Sequence, residues 1–211
     1  MSTSTPLVIR LFAACAALFL VGLNTARATE PPVVLLNEWW QWAVSIPSAV
    51  NPIMDNSGKA CALGQRGNLW FLAGNTGGKT SRQCSLPAGS RVLIPLHTTF
   101  CFADGTRTAA QCYDDVAQHY ASFTSWSAEL DGVPQELIDQ PPVPGEYVFN
   151  VAVPRNGIFD FRPGLYRATA AAGRWAIVGF DEPGVYSLRV RSQAPAFASD
   201  VTYQLTVAEV N

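Results

Sequence analysis

Charge is scarce in this chain. Only 14% of its 211 residues are Asp, Glu, Lys or Arg, against roughly 25% in an average soluble domain. Lysine occurs twice, at Lys59 and Lys79, and histidine twice, at His97 and His119. The formal net charge is −2, which argues against a nucleic-acid partner or a polybasic membrane patch. No Gly-x-Ser-x-Gly elbow, His-Glu-x-x-His helix or phosphate-binding loop occurs, so no nucleophile, zinc or nucleotide chemistry is announced by a local motif. No cofactor is expected. Disorder is also excluded, because 48% of the residues are hydrophobic and such a chain can bury a core.

What is present begins with an N-terminal segment of a different kind. Arg10 precedes the apolar run Leu11–Leu23, and Ala26-Arg27-Ala28 follows it. That order is a secretory signal, with cleavage expected before Thr29. The run is 13 residues, short of the roughly 20 that a spanning helix needs. No second apolar run of spanning length follows. Residues 1–28 therefore read as a signal peptide and 29–211 as one domain, exported to the periplasm or beyond. Without Arg10 and Arg27 the mature chain has 12 basic and 16 acidic residues.

Four cysteines remain in the mature chain: Cys61, Cys84, Cys101 and Cys112. An even number in an exported chain implies two disulfides, with three possible pairings. Zinc is the rival reading, but the spacings contain no Cys-x-x-Cys knuckle. The local pairs Cys61–Cys84 and Cys101–Cys112 are favoured.

The periodicity reads mainly as β. A short helix is expected from Glu38 to before Pro47, capped by Asn37. Asn68–Ala73 is a continuously apolar strand, and Gln83–Leu86 and Arg91–Leu96 follow it. Thr108-Ala109-Ala110-Gln111 has capping-box spacing. Behind it, Ala109, Cys112, Tyr113, Val116, Tyr120 and Phe123 share one helical face. From Trp126 onward the period changes to two. Trp126, Ala128 and Leu130 alternate up to the hairpin signal Asp131-Gly132. Tyr147–Val153, Arg174–Phe180, Tyr186–Val190 and Val201–Val207 supply further strands. Short strands with turn signals between them indicate an antiparallel β-sandwich, jelly-roll-like or immunoglobulin-like, with one or two helices.

The stretches Cys61-Ala62-Leu63-Gly64-Gln65-Arg66-Gly67-Asn68-Leu69-Trp70-Phe71-Leu72-Ala73-Gly74 and Arg82-Gln83-Cys84-Ser85-Leu86-Pro87-Ala88-Gly89 resemble a family of exported bacterial proteins of similar length. The ending, Pro183-Gly184-Val185-Tyr186 with Val201–Val207, is similar too. The resemblance covers most of the mature chain. No activity is assigned to that family, so it implies no site residues here.

Two clusters are candidates for function. Trp39, Trp40 and Trp42 fall within four residues. On a helix Trp39 and Trp42 share a face and Trp40 diverges by roughly 100°. They either plug the end of the sandwich or present Trp40 as an exposed stacking platform. The second cluster is acidic. Asp115 and His119 stand at i and i+4, opposite the apolar helix face, with Asp104 and Asp114 near in sequence. It is either a solvated helix face or a metal or acid–base site of Asp104, Asp115 and His119. Asp55-Asn56-Ser57-Gly58 reads as turn chemistry rather than a calcium loop. These observations point to a non-catalytic binding or surface-interaction module with a glycan or envelope-protein partner. The alternatives are a secreted hydrolase with an acidic/His site and a structural envelope protein. The signal reading predicts that intact-mass analysis of the exported protein gives a chain starting at Thr29. Retention of residues 1–28 in the membrane fraction would contradict it.

Overall fold

The computed structural model describes residues 32–103 and 105–208, so the signal segment and Asp104 lie outside the described residues. The chain runs through helix α1 (Pro32–Ser45), a 3-10 turn (Ser48–Val50), β1 (Leu69–Phe71), β2 (Gly78–Leu86) and β3 (Ser90–Phe102). Helix α2 (Ala109–Ser122), β4 (Ser125–Leu130), β5 (Val133–Pro134) and β6 (Leu137–Gln140) follow. β7 (Phe149–Val153), β8 (Gly164–Phe180), β9 (Gly184–Ala194) and β10 (Phe197–Val207) complete it. One sheet has the order β1-β3-β8-β6, with β7 also paired to β8; the other has the order β2-β10-β9-β4-β5. Both expected disulfides form, Cys61–Cys84 and Cys101–Cys112.

The mainly β class, the two helices and the local cysteine pairing thus agree with the sequence. The strand directions are more mixed than an antiparallel sandwich. β1 runs parallel to β3, and β2 parallel to β10 over its whole length. The alternation in β9 and β10 tells which face is buried, but not which neighbour takes the free edge.

Three apolar layers stack on the first sheet. α1 covers one face, where Leu35, Leu36, Trp39 and Ala43 pack on Leu93, Phe149, Ala171 and Trp175. The second sheet covers the other face, where Val92, Ile94 and Val178 meet Leu188, Val190, Val201 and Leu205. Helix α2 extends that cover over the far halves of β3 and β8, through Cys112 and Val116 on Cys101, Ala170 and Ala172. The expected capping box forms in both directions between Thr108 and Gln111. At the β4–β5 hairpin, Asp131 and Gly132 both take positive φ (50° and 80°), as a tight two-residue turn requires.

Several boundaries differ from the sequence reading; β2 starts five residues before Gln83 and β3 runs six residues beyond Leu96. α1 starts at Pro32 rather than Glu38, so Asn37 lies inside the helix and not at its cap. Proline at the first helical position has no N–H to leave unpaired there. The helix ends where the buried Asn51 side chain donates to the Ala43 and Ile46 carbonyls, both at 2.8 Å. β8 starts ten residues before Arg174. Its first half contains Ala170-Ala171-Ala172-Gly173, a weak strand former, held by crowding from both faces. A Cβ on Gly173 would stand 2.8 Å from Trp175 Nε1 and 2.9 Å from Thr98 Oγ1.

A buried arginine ties the pieces together. Arg82, in the middle of β2, is 1% exposed. Its Nε donates to Asp55 O at 2.7 Å, and its Nη2 to Ile53 O at 3.1 Å. Its Nη1 reaches Ala73 O (2.7 Å), Gly74 O (2.9 Å) and Tyr203 Oη (2.8 Å). No carboxylate hydrogen-bonds it among the described residues. Beside it, Gln83 N–H donates to Ser57 O, and the approach is close enough that a Cβ on Gly58 would fall 2.2 Å from Gln83 O. The Asp55 carboxylate closes its own turn by accepting from Ser57 Oγ (2.6 Å), Ala60 N (2.8 Å) and Ser57 N (2.7 Å). Partial burial raises its pKa, but those bonds and the Arg82 charge outweigh burial and leave it below the ordinary value.

Replacing Arg82 by Lys or Met strands several carbonyls inside the protein, each costing about 1–3 kcal/mol. Either variant is expected to lose at least about 3 kcal/mol in urea unfolding. A loss under about 1 kcal/mol would show that the five contacts do not hold the loops.

Candidate functional site

An apolar cleft of about 280 Å³ opens between α1, the middle of β3, the end of α2 and the loop before β8. Its walls include Trp39, Trp40, Phe123, Phe159 and Phe197, with Ile53, Met54 and Gly74 on the side that Arg82 fixes. Asn75, Thr98 and Ser199 also line it, but their bonds turn inward. Asn75 Nδ2 donates to Gly78 O and Thr80 Oγ1, Ser199 Oγ donates to Asn75 Oδ1, and Thr98 Oγ1 donates to Ala172 O. Among the described residues, no Asp, Glu, Lys or Arg lines the cleft.

A β-bulge places His97 in this wall. Pro95 pairs with Trp175 and His97 with Arg174, leaving Leu96 as the extra residue. Proline breaks the ladder's donors, and a bulge re-aims the side chains that follow. Leu96 joins the core between the sheets. His97 stacks on Phe123, ring centroids 3.9 Å apart and planes 11° apart. It is 6% exposed, and neither ring nitrogen has a hydrogen-bond partner among the described residues. Burial, followed by the Arg174 and His119 charges, lowers its pKa from 6.5 to about 4, with Asp139 opposing. The imidazole in the wall is therefore neutral at neutral pH.

Behind His97 lies a charged group that does not reach the cleft. The Arg174 guanidinium sits 3.3 Å from the Trp126 ring centroid and 4.8 Å from that of Tyr120. Its Nε pairs with Asp139 Oδ1 at 2.6 Å. Tyr120 Oη donates to the same carboxylate oxygen. Burial and that bond raise the Tyr120 pKa.

The tryptophans divide between wall and core. All three are buried, Trp39 at 2%, Trp40 at 5% and Trp42 at 7% exposure. Each indole N–H is used internally, to Leu72 O, Thr98 Oγ1 and Leu63 O respectively. Trp39 and Trp40 line the cleft; Trp42 does not. Of the two readings left open for Trp40, its burial excludes the exposed platform. Its ring meets Phe100 at 4.1 Å and Phe159 at 6.4 Å, so the loop before β8 covers what helix geometry alone would leave open.

The acidic cluster is not assembled as a site. Among the described residues, no group of three or more His, Cys, Asp or Glu is placed to hold a metal. Asp115 pairs with Arg107 at 3.3 Å, both exposed. His119 instead sits at the cleft rim, edge-on to Phe123 at 5.5 Å. Partial desolvation there lowers its pKa. Asp104 lies outside the described residues. Sequence reasoning missed His97, Phe159 and Phe197 as wall residues; the one local signal was Pro95, an irregularity inside an otherwise apolar strand.

No protein-family model and no curated protein matches this chain. Among solved structures, it is similar to PbICP-C, solved in complex with falcipain-2, at 14% identity and a TM-score of 0.28. That alignment covers 67% of this chain and 100% of the other. It is also similar to amebosin, at 8% identity and a TM-score of 0.18, over 61% of this chain and 96% of the other. Likenesses this distant carry no argument about fold or function.

The neutral His97 generates a pH prediction. Its folded pKa of about 4 lies below its unfolded value near 6.5. As pH falls, the unfolded chain takes up the proton first. This stability is complete above about pH 6.5, is lost as pH falls toward 4, and changes no further below that. Between pH 7 and 4 the wild type should lose up to about 3 kcal/mol more than His97→Phe in urea titrations. Parallel pH profiles for the two proteins would contradict a buried neutral imidazole.

Proposed function

We propose that this protein is an exported, non-catalytic binding module whose cleft receives an uncharged, apolar ring. The observation that carries the reading is the cleft itself: aromatic walls from five elements or loops, with both imidazoles shifted toward the neutral form. A charged ligand group buried there would find no ion-pair partner along the lining, a costly arrangement. A sugar ring needs many donors and acceptors, and those of Asn75, Thr98 and Ser199 are committed internally. An aromatic or alicyclic group, free or attached to an envelope component, suits the site better than a bare glycan. Export is supported by two disulfides, which belong to oxidising compartments. No helix among the described residues is long and apolar enough to cross a membrane.

A hydrolase reading has less support. The carboxylate expected to work with His119 is engaged by Arg107, and the cleft imidazoles meet no acid along its lining.

The test is calorimetric titration of the protein with indole and, separately, with soluble peptidoglycan and glucan fragments. Indole should bind and the glycans should not. Thr76 is exposed at the cleft's edge, so Thr76→Phe should narrow the mouth and weaken indole binding about tenfold, with stability changed by less than about 0.5 kcal/mol. Glycan binding without indole binding, or binding of neither, would overturn the reading.

A further inference from the structure

The β7–β8 connection, residues 154–163, has a composition unlike the rest of the surface. Both exposed phenylalanines of the described chain are here, Phe159 at 36% and Phe161 at 38% exposure, and Leu165 just after them is 73% exposed. Three exposed arginines, Arg155, Arg162 and Arg167, surround them and form no ion pair among the described residues. Asp160 is the one acid in this stretch. The tip is therefore locally cationic in a chain whose net charge is −2.

We propose that this tip docks the protein on an anionic phospholipid bilayer. Two features favour a bilayer over a protein partner. First, the apolar groups lie on both sides of the ribbon. Phe161 packs on Tyr166 at 5.6 Å and on Phe102 at 5.3 Å, while Leu165, one residue from Tyr166 in the strand, points to the opposite side. A flat partner covers one side only, whereas a bilayer interface takes a ribbon edge-on. Second, arginine stems lie along apolar surface while their heads stay among phosphates. Arginine next to an anionic leaflet adds attraction that falls off within a Debye length. The tip is also preorganised. Phe159 stands on Phe100 at 5.6 Å and Tyr166 Oη donates to Arg162 O at 2.9 Å, so docking need not order a floppy loop.

Co-sedimentation with phosphatidylcholine vesicles, with and without phosphatidylglycerol, tests this. The protein should pellet with the phosphatidylglycerol vesicles at low salt, remain in the supernatant with phosphatidylcholine alone, and be released by added salt. Arg162→Gln with Arg167→Gln should lower partitioning about tenfold, and Leu165→Ser, at a side chain 73% exposed, should lower it too. Both variants should keep the wild-type melting profile and indole titration, which separates this proposal from the cleft reading. Absence of vesicle binding, equal binding to both vesicle types, or wild-type partitioning of the variants would overturn it. So would capture of a soluble glycan or protein by the tip in place of lipid.

Discussion

The fold depends on a guanidinium buried without a carboxylate. Arg82 gathers four main-chain carbonyls from two loops and the hydroxyl of Tyr203, its register partner in β10. Ile53 and Asp55 belong to the long connection after α1. Ala73 and Gly74 follow β1, in the first sheet, while Tyr203 and Arg82 itself lie in the second. A planar five-donor group satisfies several acceptors at once in a fixed geometry, which lysine does not. The Cys61–Cys84 bridge ties the same loop to the same strand two residues further on.

That constraint has a consequence at the cleft. Ile53, Met54, Gly74 and Asn75 form its wall on the Arg82 side. They are irregular backbone, and a loop wall is ordinarily mobile. Here its carbonyls are pinned from behind, so the wall keeps its shape without turning polar groups toward the opening. The opposite wall is set by the bulge at Leu96, which places His97 against Phe123. The floor follows from the small residues of β8, whose alanines and Gly173 leave room for Trp39 and Trp40 on one side and α2 on the other.

Much of this architecture was legible in the sequence. The alternation through Val201, Tyr203, Leu205 and Val207 places all four in the core, and Thr108 with Gln111 marks the start of α2. Cysteine spacing favours the local pairing that forms. What was not legible depends on distant neighbours. Arg82 shares a face of β2 with Cys84 and Leu86, but nothing local in the sequence shows the loops whose carbonyls close over its guanidinium. The alanine run of β8 lacks strand propensity and owes its conformation to packing. Whether Trp40 was covered or exposed stayed open in the sequence, because helix angle says nothing about a loop more than a hundred residues later that brings Phe159 over it. The choice between a solvated helix face and an acidic site was open for a related reason: i, i+4 spacing allowed Asp115 to meet His119, but Arg107 takes the carboxylate and Phe123 takes the ring.

The central claim is that the space between Trp40, Phe123, Phe159 and Phe197 is an apolar receptor and not a hydrated crevice. Apolar cavities take up xenon, whereas polar ones hold ordered water. Diffraction from crystals of the protein under xenon pressure reads this directly. The account predicts a xenon peak among those four rings, with no ordered water hydrogen-bonded to His97 from the cleft side. A cleft filled by ordered waters bonded to His97, with xenon elsewhere or absent, would contradict it.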